Sequence, residues 1–184
     1  MRPPDRVTGV KKSKPAVIDI LCDFDSLNRA IIDTSTLIYL HKIGALECVS
    51  RSICLMTISQ VIDEFGDKSG LKYIKIIKGK DSIDGKKSAD EMVVKIAAQM
   101  HLPVLSEDKG LLTNARKNGL KYYNTLMILN FLLYRRNIAD NDYTSYLQKL
   151  KKVAHYGQNI YAFGKILYDA ISIKKYPPDN PAGE

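Results

Sequence analysis

Short apolar runs alternate with longer stretches of helical period along the middle of the chain. Four of these runs predict buried strands at 30–33, 52–57, 103–106 and 121–123. Between them, apolar residues recur at helical spacing behind capping residues such as Ser59 and Ser88, and one such stripe runs from Leu37 to Leu46. Strands that alternate with helices predict a parallel sheet covered on both faces. The predicted fold class is therefore α/β, a three-layer α/β/α sandwich with a short parallel sheet.

The segments outside these runs carry weaker patterns. The apolar run 16–22 predicts a short strand and the polar run 23–28 a turn, while 72–77 predicts an edge strand and 79–87 a charged loop. A strongly apolar helix is predicted for 125–134. Two more helices are predicted after it, with apolar stripes through Tyr143, Tyr146, Leu147, Leu150 and Val153 and through Ile160, Phe163, Ile166, Leu167 and Ala170.

These patterns divide the chain of 184 residues into one domain with appendages. Residues 1–28 form an N-terminal extension that we expect to be partly flexible, because proline, glycine and basic residues dominate its start. Residues 29–137 form the core domain. Residues 138–176 form a helical extension packed on that domain, and 177–184 form a flexible tail.

The composition is that of a globular protein, with 45% hydrophobic and 26% charged residues. No apolar run approaches the roughly 20 residues that cross a bilayer, so we expect no membrane partner. The three cysteines, Cys22, Cys48 and Cys54, have no metal-type spacing and leave one unpaired after any disulfide. A reducing, cytoplasmic location is therefore expected.

Positive charge is concentrated in the last third of the chain. The net charge is +8, and residues 109–175 contain twelve basic and three acidic residues. A basic surface of that size favours a polyanion, with nucleic acid ahead of a membrane. An ordinary solvated face of lysine-rich helices explains the charge equally well.

Acidic residues stand at or near the ends of predicted strands. Asp33 closes the first strand, and Asp108 lies just past the third. Glu64 and Asp90 lie on predicted helices that can face the same edge. Because ligands of open parallel sheets bind beyond the carboxyl ends of the strands, we expect these four side chains to lie near one another.

The acids next to Asp90 and Asp108 in the sequence test whether the right member of each pair has been assigned to the site. Glu91 falls on the opposite side of its helix from Asp90, so Asp90 is expected to be required and Glu91 dispensable. In the same way, Asp108 is expected to be required and Glu107 dispensable.

Four carboxylates without basic partners repel one another unless a divalent cation lies among them. Oxygen ligands select hard ions, here Mg²⁺ or Mn²⁺. Such ions activate water and stabilise the charge that develops on a phosphodiester during hydrolysis. Any one of these acids taken alone is more commonly a surface charge, so the prediction depends on their combination.

Four stretches of the chain carry a resemblance to a known family. In order they are AIIDTSTLIYLHKIGAL, MTISQVIDEF, SADEMVVKIAAQMHLPVLSEDKGLL and the Asn124-Thr125 step. Together they resemble the ordered motifs of the PIN-domain nucleases, which include the VapC-like toxin ribonucleases, over residues 29–137. The resemblance implies an α/β/α sandwich and a metal-dependent endonuclease that cuts RNA.

The resemblance also implies roles for individual residues. The implied catalytic and metal-binding residues are Asp33, Glu64, Asp90 and Asp108. The implied supporting residues are Thr34, Ser35, Ser106 and Thr125. Three basic residues, Lys109, Arg116 and Lys117, are candidates for holding the RNA backbone.

The partners expected besides RNA follow from the same family. Many of its members are toxins of toxin–antitoxin pairs, which implies a cognate antitoxin protein, and a homodimer is a candidate assembly. The N-terminal extension and the C-terminal helices of this chain depart from those small toxins, which weakens the toxin assignment more than the nuclease assignment.

Two other classes of function are open at this level. The protein could bind nucleic acid or a protein partner through a PIN-like module without cleavage. Alternatively, the stretch ILCDFDSL resembles the first motif of haloacid-dehalogenase-type phosphatases, with Asp23 as nucleophile and Asp25 as acid, although Leu27 departs from that motif. A receiver-type domain is disfavoured, because Thr34 stands where a second acid would follow Asp33.

Overall fold

The computed structural model describes residues 17–67, 69–77 and 88–175. Within these ranges five parallel strands form one sheet in the order β3-β2-β1-β4-β5. The strands are β1 (Arg29–Ile32), β2 (Cys54–Ile58), β3 (Ile74–Ile77), β4 (Val104–Leu105) and β5 (Tyr122–Tyr123). The predicted α/β class is thus confirmed. The start of the N-terminal extension, the predicted loop 79–87 and the tail 177–184 lie outside the described residues.

Helices cover both faces of the sheet. The helices of the described ranges are α1 (Val17–Ser26), α2 (Thr34–Ile43), α3 (Leu46–Ser52), α4 (Ser59–Phe65), α5 (Ala89–Met100), α6 (Lys109–Lys117), α7 (Thr125–Tyr134), α8 (Asp140–Val153) and α9 (Gln158–Lys175). Helices α5 and α6 lie on one face, and α2, α3 and α7 form the opposite layer. Helices α8 and α9 pack against α7. No helix in the described part of the chain has the length and apolar character to cross a membrane.

The centre of the sheet is fully buried. Ile31 of β1 pairs with Met56 of β2 on one side and with Val104 of β4 on the other. Ala30, Ile31 and Ile32 have no accessible surface. Burial on both faces is the reason that this strand reads as a continuous apolar run rather than as an alternating one.

The predictions of a strand at 16–22 and of a turn beginning at residue 23 are wrong, because Val17–Ser26 forms helix α1. Its buried residues, Ile20, Leu21 and Phe24, recur at helical spacing, and Phe24 lies beyond the apolar run that suggested a strand. The ring of Phe24 lies 5.6 Å from that of Phe131 and 6.0 Å from that of Tyr123, measured between centroids. Helix α1 therefore contributes to the main core.

Two smaller expectations also need correction. The stripe from Leu37 to Leu46 is divided between α2 and α3, because Gly44 adopts a left-handed conformation with φ of 76° and ends α2. Ile166, assigned to the inner stripe of the last helix, is 52% exposed, whereas Leu167 beside it is buried. The predicted edge strand at 72–77 is confirmed as the shorter strand β3, preceded by a turn of 3-10 helix at Leu71–Tyr73.

Candidate active site at the carboxyl edge of the sheet

The neighbouring strands β1 and β4 lead to opposite faces of the sheet. After β1 the chain enters α2 on one face, and after β4 it enters α6 on the other. Such a switch point leaves a crevice beyond the carboxyl ends of the two strands, where open α/β sheets bind their ligands. Asp33 follows β1 directly, and residues 106–108 follow β4.

Asp33 is buried at this crevice, with 4% of its surface exposed. It is the N-cap of α2, and its Oδ2 atom accepts hydrogen bonds from the Ser35 amide (3.4 Å), the Ser35 hydroxyl (2.7 Å) and the Ser106 hydroxyl (3.0 Å). Within the described residues Oδ1 accepts no hydrogen bond. One carboxylate oxygen thus fixes the side chain, and the other is available to a ligand.

Ser106 connects Asp33 to Asp108. Besides donating to Asp33, the buried Ser106 hydroxyl accepts a hydrogen bond from the Asp108 amide at 3.0 Å. Asp108 is itself an N-cap, because its Oδ1 atom accepts from the Leu111 amide at 2.7 Å and begins α6. The Asp108 side chain is exposed, and its charge is among those that raise the pKa of Asp90.

Glu64 and Asp90 reach the same edge from two other helices. Glu64 of α4 accepts a 2.6 Å hydrogen bond from the Thr34 hydroxyl, which follows Asp33 in the chain. Asp90 lies in the first turn of α5. Its pKa is raised, first by desolvation and then by the negative charges of Asp33, Asp108 and Glu64. The four acids therefore share one electrostatic environment.

The four acids offer the kind of ligand atom that a hard divalent cation prefers. None of the four acids forms an ion pair with another residue of 17–67, 69–77 or 88–175. Carboxylate and hydroxyl oxygens are the ligands that Mg²⁺ and Mn²⁺ prefer. Over the same ranges, however, no three His, Cys, Asp or Glu side chains converge closely enough to hold an ion. Glu64, Asp90 and Asp108 are exposed, and their rotamers would have to turn inward.

Glu107 lies between Ser106 and Asp108, and its side chain turns away from the crevice. Its Oε1 atom accepts hydrogen bonds from the Thr125 amide (2.7 Å), the Thr125 hydroxyl (2.6 Å) and the Thr36 hydroxyl (3.3 Å). Its Oε2 atom accepts one from the Tyr156 hydroxyl. Burial raises the pKa of Glu107, although the hydrogen bonds from Thr125, Tyr156 and Thr36 oppose that rise.

The sequence predicts that Glu107 is dispensable, whereas the structure places its carboxylate at the centre of this network. Thr125, an implied supporting residue, contacts Glu107 in it. The partners of Glu107 come from α2, from the start of α7 and from the link between α8 and α9, so no local spacing could have brought them together. The sequence does contain one signal for Glu107. It is an acid that stands directly between two predicted site residues, Ser106 and Asp108, with no basic residue next to it.

The three basic candidates do not share one location. Lys109 is the first residue of α6 and adjoins Asp108, whereas Arg116 and Lys117 lie in the last turn of this nine-residue helix. Nine helical residues span about 13 Å, so Arg116 and Lys117 lie far from the acids. At that end they complement the negative end of the helix dipole, an ordinary role for exposed basic residues.

The structure does not support the phosphatase motif. Asp23 and Asp25 lie inside helix α1 and do not follow a strand. Asp23 forms an ion pair with Lys121 (2.6 Å between Nζ and Oδ1), and Asp25 accepts a hydrogen bond from the Tyr134 hydroxyl at 2.7 Å. Lys121 precedes β5, so this pair lies at the amino edge of the sheet, opposite the crevice.

Comparison with solved structures finds distant similarity to a known protein. No family model matches the sequence, and no curated protein matches it. The solved structure of a PilT N-terminus domain protein, SSO1118 from the hyperthermophilic archaeon Sulfolobus solfataricus P2, is similar at 14% identity and a TM-score of 0.42. The match covers 60% of this chain and 93% of that one. A similarity this remote shows neither the family nor the activity of this chain.

Proposed function

We propose that this protein is a PIN-type endoribonuclease that depends on Mg²⁺ or Mn²⁺. The observation that carries the proposal is the group of four acids from four separate segments at the β1/β4 switch point. The negative charges of Asp33, Glu64 and Asp108 contribute to the raised pKa of Asp90. No described basic residue forms an ion pair with any of the four acids. The ordered PIN-like motifs of the sequence support the same activity.

In this proposal the protein orients its ligands through hydroxyl groups. Ser35 and Ser106 hold Oδ2 of Asp33 and leave Oδ1 for an ion. Hydrogen-bonded supports of this kind fix the direction of metal-binding carboxylates. The bound ion would supply an activated water and neutralise charge that develops on the phosphodiester. The products would carry 5′-phosphate and 3′-hydroxyl ends.

RNA is the proposed substrate, and the basic last third of the chain is its proposed binding surface. Lys109, beside Asp108, is the best-placed candidate for a contact to the RNA backbone. Cleavage should weaken as salt rises, because phosphate contacts release counterions. We further propose a cytoplasmic location, a toxin role with a cognate antitoxin protein as partner, and assembly as a homodimer.

The first test uses two substrates and one control variant. Purified protein with Mn²⁺ is expected to cut an end-labelled single-stranded RNA at internal bonds and to leave a chromogenic phosphomonoester intact. Asp23→Asn is expected to cut RNA at the wild-type rate, because Asp23 pairs with Lys121 at the opposite edge of the sheet. Turnover of the monoester that disappears in Asp23→Asn, with RNA intact throughout, would establish the phosphatase instead.

A second prediction separates two neighbours on α5. Asp90→Asn is expected to lower kcat for RNA by at least about a hundredfold, the scale of removing a group that stabilises the transition state. Glu91→Gln should leave kcat within about twofold, because Glu91 is not among the charges that raise the pKa of Asp90. The measurement is steady-state cleavage at saturating Mn²⁺. A large loss in Glu91→Gln together with normal activity in Asp90→Asn would show that the opposite face of α5 forms the site.

A further inference from the structure

The link between α8 and α9 contacts the turn after β4 through the side chain of Tyr156. Tyr156 lies in the short link between α8 and α9, and its hydroxyl donates a hydrogen bond to Oε2 of Glu107. The ring of Tyr156 packs edge-on against that of Tyr161 in α9, with 5.5 Å between the centroids. The link is therefore held on one side by its own helices and on the other by the turn after β4.

The Glu107 carboxylate is a junction between distant parts of the chain. It accepts four hydrogen bonds from described residues, contributed by Thr36 of α2, Thr125 of α7 and Tyr156. Both of its oxygens therefore accept hydrogen bonds from other parts of the protein. A buried carboxylate loses much of its stabilisation when one donor is removed, because the remaining bonds do not replace it.

The position of this junction also sets the position of the acids beside it. The Glu107 amide donates to the Ser35 hydroxyl at 3.0 Å, and that hydroxyl donates to Asp33. On either side of Glu107, Ser106 donates to Asp33, and Asp108 caps α6. A shift of Glu107 would therefore move supports of Asp33 and the backbone of Asp108 together.

We propose that Glu107 is a positioning residue and that the Tyr156 hydroxyl anchors it, so that the link between α8 and α9 helps to position the candidate active site. The expected effect of this anchor on catalysis rests on the proposed nuclease function. Glu107 holds the turn 106–108 in the place from which Asp33 and Asp108 act, and the C-terminal helices supply one of its fixed points.

Tyr156→Phe removes only the anchoring hydroxyl, and the chain offers a matched control. Tyr168 of α9 also donates a hydrogen bond to a carboxylate, at 3.3 Å from Asp140 of α8, which is outside the Glu107 network. With RNA and saturating Mn²⁺, Tyr156→Phe is expected to lower kcat about tenfold or more and to leave KM within about twofold. Tyr168→Phe should leave both parameters within about twofold.

Substitution of Glu107 itself adds a test by rescue. Glu107→Gln keeps an acceptor for Thr125 and can pair its amide group with the Tyr156 oxygen, so it should keep most of the activity that Glu107→Ala loses. If Glu107→Ala does not fold, the comparison of Glu107→Gln with Tyr156→Phe takes its place. Equal losses of kcat in Tyr156→Phe and Tyr168→Phe would overturn the inference.

Hydrogen exchange in the absence of metal and RNA makes the test independent of cleavage. The amides of Glu107 and Thr125, both held in this network, should exchange faster in Tyr156→Phe and at the wild-type rate in Tyr168→Phe. Wild-type protein that leaves RNA intact would defeat the proposed function, while exchange would still report on the anchor. Unchanged exchange of both amides in Tyr156→Phe would defeat the anchor.

Discussion

Asp33→Asn is expected to abolish RNA cleavage while leaving the protein folded. Asp33 is the buried member of the acid cluster, and its free Oδ1 atom is the proposed metal ligand. Loss of a charged ligand removes several kcal/mol of transition-state stabilisation, which corresponds to a fall in kcat of about a thousandfold or more. Asparagine has the same shape and caps helices as well as aspartate does, so α2 should form normally.

The same variant has a thermodynamic signature that does not depend on RNA. Without metal, its melting temperature should equal or exceed that of the wild type, because one of four mutually repelling charges is gone. Millimolar Mn²⁺ should raise the melting temperature of the wild type and raise that of Asp33→Asn much less. Thermal unfolding with and without Mn²⁺ measures both effects. Equal shifts in the two proteins would show that the metal binds elsewhere.

Phe24→Ala is expected to destabilise the protein by about 3–5 kcal/mol, the usual cost of removing a buried phenylalanine side chain. Phe24 has no accessible surface, and its ring packs among those of Phe131, Tyr123 and Tyr134. The loss would show that α1 is a structural part of the domain. Urea unfolding followed by circular dichroism gives the free energy of unfolding.

Ile18→Ala on the same helix is the control for this prediction. Ile18 is 72% exposed, so its truncation should change the free energy of unfolding by less than about 0.5 kcal/mol. If both substitutions cost the same small amount, α1 contributes little to the stability of the core.

Apolar runs in the sequence predicted the central strands of the sheet but did not predict helix α1. The central strands were predicted because each is buried on both faces, and the apolar run therefore coincides with the element. Helix α1 was missed because its apolar run is short and its decisive residue, Phe24, lies beyond that run. A local pattern identifies an element only when the burial it records extends over most of that element.

The candidate site shows the same limit. Asp33 and Asp108 could be placed from strand ends alone, since parallel strands end at one edge of the sheet. Glu107 could not be placed, because its partners Thr36, Thr125 and Tyr156 are brought together only by the packing of three helical regions. Lys109, Arg116 and Lys117 are all candidates for holding the RNA backbone in the sequence, but helix α6 places Arg116 and Lys117 at the end away from Asp108.

Asp33 and Asp108 each begin a helix as well as facing the crevice, and this double duty restricts how the protein can change over evolution. A lineage that no longer needs catalysis still needs α2 and α6, and Ala at either position would cost about 0.5–2 kcal/mol of helix capping. Selection for folding alone would then retain Asn, Ser or Thr there, while Glu64 and Asp90, which cap no helix, would be free to drift. A descendant with capping residues at positions 33 and 108 and unrelated residues at positions 64 and 90 would be a protein that has lost nuclease activity and kept the fold.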